Sequence, residues 1–133
     1  MTGETSLSTL LATLSPHLNP GEFVFCSVAG PTVLHDAVAV GSFREAEGTT
    51  LILPRAEADR FNLAYDYVAA WITLQVHSSL AAVGLTAAFA TALAREGISC
   101  NVIAGHHHDH LFVAQADAER ALATLQRLAA ESR

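Results

Sequence analysis

The order of apolar segments in this chain predicts an α+β fold in which antiparallel sheets carry helices packed on one face. Two observations carry that prediction. From Tyr67 onward the patterns run strand, helix, strand, strand, helix, a split βαβ unit that lacks only its final strand, so an earlier part of the chain must complete the sheet. The sequence also echoes itself. Leu51-Ile52-Leu53-Pro54-Arg55-Ala56-Glu57-Ala58-Asp59-Arg60 aligns without gaps on Leu111-Phe112-Val113-Ala114-Gln115-Ala116-Asp117-Ala118-Glu119-Arg120, and the same spacing of 60 residues lays 38–43 on 98–103. Each copy ends a strand and opens a helix, so a strand-strand-helix half is repeated.

The elements follow in order. Leu7, Leu10, Leu11 and Leu14 recur at helical spacing, with Ser6 as N-cap and Pro16 closing the helix. Asn19-Pro20-Gly21 makes a turn before the aromatic and β-branched run 23–28, a strand. Residues 29–32 break the pattern, and His35-Asp36 reads as part of a turn. A hairpin follows, with strands over 38–43 and 49–53 joined across the turn residues 45–48. Pro54 suits the first turn of a short helix reaching about Phe61. Residues 67–76 form a strand with Ala70, Ile72, Leu74 and Val76 on one side and Trp71, Thr73 and Gln75 on the other.

Gly84 precedes a helix whose stripe is Leu85, Ala88, Phe89, Ala92 and Leu93, and Gly97 stands where a C′ residue belongs. Strands over 98–104 and 110–114 surround Gly105 and a histidine run. The last helix, capped by Asp117, buries Ala118, Ala121, Leu122, Leu125, Leu128 and Ala129.

Composition narrows the function. With 133 residues, 51% of them apolar and 15% charged, the chain can bury one core or two small ones sharing a wall. Its 13 acidic residues outnumber 7 basic ones, all arginine, so a nucleic-acid backbone or an anionic membrane surface is repelled. No Asp, Glu, Lys or Arg occurs over 67–94, a length that could span a bilayer. The middle of that stretch holds Gln75, His77, Ser78 and Ser79, where a spanning helix is most apolar, so strand, loop and helix are expected instead. Cys26 and Cys100 lie in apolar strand-like runs and read as small buried hydrophobes. Residues 1–6 lack the features of a signal peptide, and a cytoplasmic location is expected.

Three stretches, residues 22–28, 85–97 and above all Gly97-Ile98-Ser99-Cys100-Asn101-Val102-Ile103-Ala104-Gly105-His106-His107-His108-Asp109-His110-Leu111-Phe112-Val113, carry a family resemblance. Over residues 7–128 the chain resembles bacterial proteins built from two ACT-like repeats, related by fold to amino-acid-sensing ACT modules. The resemblance implies a ferredoxin-like fold of tandem repeats. Residues 1–66 would form a degenerate first repeat with its first helix at the N-terminus, and 67–133 the second, together one compact unit. It also implies a ligand near the loop 80–86, contacted by Val83, Gly84 and Leu85, where a glycine admits a bound amino acid to the backbone and a helix N-terminus meets its carboxylate. Two departures stand out. The aspartate that often precedes this glycine is absent, and the first repeat has only residues 29–37 between its strands.

The run His106-His107-His108-Asp109-His110 has three readings: a solvated hairpin turn, a small-molecule contact through His108, Asp109 and His110, or a metal site. Asn101 is either a hydrogen-bonding group on a ligand wall or a solvated edge residue. No nucleophile elbow, phosphate-cradling glycine loop or activated cysteine occurs, and Ser78 and Ser79 gain no base from being next to His77. No catalytic residue and no cofactor are assigned. The expectation is a regulatory module binding an amino acid or similar small anion, paired as a homodimer through sheet edges or helices. A metal-binding protein using the histidine segment and a structural interaction domain without ligand are the alternatives.

Overall fold

Strand alternation and helical stripes sort the chain into elements, and a computed structural model describes residues 6–30, 38–76 and 80–133 of it. The readings made on residues 1–5, on 31–37 with the His35-Asp36 doublet, and on His77, Ser78 and Ser79 fall outside the described residues. Contacts divide the chain into two units, residues 20–69 and residues 1–19 with 70–133.

In the unit of residues 20–69, β2 (Phe23–Val28) pairs antiparallel with β4 (Gly48–Pro54), and β3 (Gly41–Glu45) pairs on the other side of β4. Val24 lies opposite Leu53 and Cys26 opposite Leu51, so period-two alternation puts all four on one face. There they are buried with Ala58 of α2 (Arg55–Arg60). Val68 and Ala69, which open β5 (Val68–Gln75), pair with Val24 and Phe23. The β3–β4 hairpin depends on Gly48. Its φ is +149°, and a Cβ there would stand 2.7 Å from the Val28 carbonyl oxygen. The hairpin strand begins at Gly41 rather than at residue 38.

In the other unit the sheet order is β1 (Ser15–Leu18), β5, β7 (Asp109–Ala114), β6 (Asn101–Ala104). β1 corrects the sequence reading: Pro16 does not end the helix but lies in a strand, opposite Leu74. The helix itself, α1 (Leu7–Thr13), has already stopped, and the Ser6 hydroxyl does not cap it. β1 is thus the earlier segment that completes the sheet. Ala70, Ile72, Leu74, Leu111 and Val113 bury one sheet face against α3 (Leu85–Arg95) and α4 (Ala118–Glu131). Phe89, Leu93, Ala121 and Leu125 fill that layer without solvent exposure. The Asp117 side chain turns to Arg120 at 3.1 Å instead of capping α4, which a short 3-10 turn, Gln115–Asp117, leads into. Antiparallel sheet with helices on one face is the ferredoxin-like arrangement.

Candidate functional site

Gly84 decides the local path before α3. Its φ of +98° is costly for any residue with a side chain, and a Cβ there would meet Leu7 Cδ2 at 3.1 Å. No side chain caps α3 and its first turn holds no acid, so the backbone N–H groups and the positive end of the helix dipole stay available. Across from this terminus the β6–β7 hairpin closes with Ala104 opposite Asp109 and the Gly105 N–H donating to the His108 carbonyl at 2.9 Å. A Cβ at Gly105 would sit 2.8 Å from that carbonyl oxygen, so only glycine fits the turn.

Between the two lies a cavity of about 160 Å³ lined by Gly84, Leu85, Thr86, His107, His108 and Asp109, among others. His108 Nδ1 is buried with no hydrogen-bond partner. Burial pushes the Asp109 carboxyl up, with the neighbouring His110 opposing the shift.

Of the residues singled out in the sequence, the fold brings Gly84, Leu85, His108 and Asp109 together here. Val83 points to solvent, 83% exposed. Asn101, exposed on the edge strand β6, donates from Nδ2 to the Phe112 carbonyl at 3.3 Å. Neither lines the cavity, and His110 has a different role. Trp71 Nε1–H donates to His110 Nδ1 at 3.1 Å, and the Thr73 hydroxyl lies 3.3 Å from the same nitrogen. Asn19 Nδ2 in turn donates to Thr73 Oγ1 at 2.9 Å. Because an indole N–H can only donate, His110 Nδ1 must accept, which places the ring proton on Nε2. Burial, and then the proximity of His108, hold His110 below its ordinary range. Trp71 and Thr73 were visible as strand neighbours on one face; their tie to His110 was not.

The unit of residues 20–69 has its own, more open groove of about 480 Å³ beside Glu22, Arg55 and Asp59. Its cation is occupied: Arg55 pairs with Glu22 at 3.3 Å and donates from Nε to the Tyr65 hydroxyl at 2.9 Å. Burial pushes the Cys100 thiol up to about 11, so it stays protonated at neutral pH. Among the described residues no three His, Cys, Asp or Glu side chains are arranged to hold a metal ion, and no helix is long and apolar enough to cross a membrane.

The ACT domain family matches twice, over residues 2–70 and over 67–127. The chain belongs to the ACT domain family. ACT domains are regulatory rather than catalytic modules. A Vibrio cholerae protein of unknown function, described as a possible transport protein, is 47% identical, covers 94% of this chain and 97% of its own, and superposes with a TM-score of 0.84. An Agrobacterium tumefaciens protein shares the fold at 16% identity and TM-score 0.66, covering 87% of this chain and 89% of its own. The ligand-free regulatory subunit of Thermus thermophilus aspartate kinase does so at 10% identity and TM-score 0.65, covering 89% and 97%. No curated protein matches the sequence.

Proposed function

We propose that this ACT protein binds an amino acid or similar small anion in the cavity between the α3 N-terminus and the β6–β7 hairpin, and acts as a regulatory module without catalysis. The observation that carries the reading is the uncapped N-terminus of α3 opening into a cavity whose wall also includes His108 and Asp109. Free N–H groups and a helix dipole favour a carboxylate. Val83, Asn101 and His110 would then serve around the site rather than in its wall. The two family matches support repeats over 1–66 and 67–133.

The reading includes a homodimer in the cytoplasm, and the two free cysteines fit a reducing compartment. Isothermal titration against the twenty amino acids tests the central claim. Heat with at least one of them, lost in Gly84→Val, is the expected result; no heat and no thermal shift with any would sink it.

A further inference from the structure

His110 is held at both edges of its ring. On one edge Nδ1 accepts the Trp71 indole N–H, and the Thr73 hydroxyl, itself fixed by Asn19, stands beside the same nitrogen. On the other edge Nε2 and Cδ2 lie against the β6–β7 turn, where a Cβ at Gly105 would meet them at 3.2 and 3.3 Å. The ring thus fastens that turn to β5, and through Thr73 and Asn19 to β1. This tie holds for one protonation state only. An indole N–H cannot accept, so a proton on Nδ1 sets two donors face to face at 3.1 Å. Thr73 Oγ1, which already accepts from Asn19, keeps a second lone pair for the new N–H, so the ring has somewhere to turn once Trp71 is lost. Around the ring, β5 supplies the uncharged Trp71 and Thr73, and β6 sets Ile103 opposite it. β1 adds His17, opposite Thr73 on the same face. Next to it in the chain stand His108, which opposes a proton on His110, and Asp109, which favours one. His106 and His107 complete the turn, their rings 4.9 Å apart.

We propose that this tie is an acid-operated latch: neutral His110 fastens the β6–β7 turn to β5, and a proton on Nδ1 releases the Trp71 N–H and frees the turn. Histidine suits the task, since its charge changes between about pH 5 and 8. Burial, and then His108, move the release toward the acid end of that range, so the latch is closed at neutral pH and opens on acidification. The freed turn carries His107, His108 and Asp109, which line the cavity. The latch therefore acts on the cavity wall itself, whatever the cavity holds. Leu111 and Val113, buried without exposure, keep the rest of β7 in place, so the opening is local.

The chain has a single tryptophan, so one indole N–H resonance reports the latch. Nitrogen–proton NMR of the full chain, from about pH 8 to about pH 4.5, tests it. The indole resonance and the Gly105 amide should titrate together, with a midpoint below 6.5 that matches the His110 ring. Hydrogen-exchange protection of both should fall about tenfold or more across the transition, while the Leu111 and Val113 amides keep theirs. His110→Asn sets an acceptor oxygen near the place of Nδ1 and takes up no proton, so in it the transition should vanish. Trp71→Phe removes the donor and should raise the midpoint of the His110 ring. An indole resonance indifferent to pH while His110 titrates, an unchanged transition in His110→Asn, or protection lost together at Leu111 and Val113 overturns the latch. The titration of the unmodified chain decides the matter even if His110→Asn does not fold.

Discussion

Replacing Gly84 by alanine separates two costs that the structure places on one residue. The first is conformational. An L-residue in the left-handed region costs about 1–2 kcal/mol, and the stiffer unfolded chain of an alanine variant gives back about 0.4–1 kcal/mol of disadvantage by a separate route, since it adds the corresponding stabilisation. The net is a loss of about 1 kcal/mol. The second is steric, a Cβ 3.1 Å from Leu7 Cδ2. Leu7 is 37% exposed, so its side chain yields by leaving its rotamer minimum, at about 0.5–1 kcal/mol. Gly97→Ala at the far end of the same helix is the control. Its φ is +71° and nothing lies within 4 Å of a new Cβ, so it carries only the first cost. Urea unfolding should therefore rank wild type above Gly97→Ala above Gly84→Ala, with a midpoint shift of about 0.5–1 M for the last. In a Leu7→Ala background the two glycine variants should become alike, leaving a coupling of about 0.5–1 kcal/mol in the double-mutant cycle. A vanishing coupling, or Gly84→Ala as stable as wild type, refutes the reasoning.

Gly48→Ala should cost more, about 3 kcal/mol, because its φ of +149° belongs to glycine and the 2.7 Å contact is with backbone that cannot swing aside; a loss below about 1 kcal/mol in urea unfolding would contradict this. His110 takes up its proton at a lower pH in the fold than in the unfolded chain, whose ordinary value is 6.5. Stability should thus be full above that pH and fall as the pH drops below it, a slope that Trp71→Phe makes shallower. Asp109, raised in the fold, acts in the opposite sense under more acidic conditions. Long-range nitrogen–proton NMR should find the His110 ring proton on Nε2, and a proton on Nδ1 would break the assignment. Cys100, half-buried with its thiol pushed up to about 11, should react with a disulfide reagent at pH 7.5 about tenfold or more slowly in the native protein than in the unfolded chain; equal rates would contradict that shift.

What could be read from the sequence was whatever a local pattern encodes. The stripes of α3 and α4, the turn at Gly105 and the repeated strand-to-helix junction at Pro54 and Ala114 all depend on residues within a few positions of one another. β1 was hidden because nothing in Ser15-Pro16-His17-Leu18 announces a strand. Its pairing comes from β5, and Pro16 is tolerated because β1 forms the edge of its unit's sheet. The cavity was half visible: the resemblance put Gly84 and His108 around one ligand together with Val83, Asn101 and His110, and the turn closed by Gly105 and His108 is what brings this histidine, and not His110, to the helix end. Asn101 shared a strand face with Ile103 as alternation required, and that face is exposed. The role of Asp109 could not be weighed before its burial was known.

The position of β1 also bears on how the chain is made. Residues 20–69 form a continuous unit whose strands pair with near neighbours, so it can organise as soon as it leaves the ribosome. Residues 15–18 emerge earlier, yet Leu18 must wait for Ile72, and the helices that cover this sheet come later still. That delay carries a loop-closure cost and leaves Leu10 and Leu14, both buried at the end, uncovered meanwhile. A strand synthesised early, β1, is held in reserve until its partner arrives.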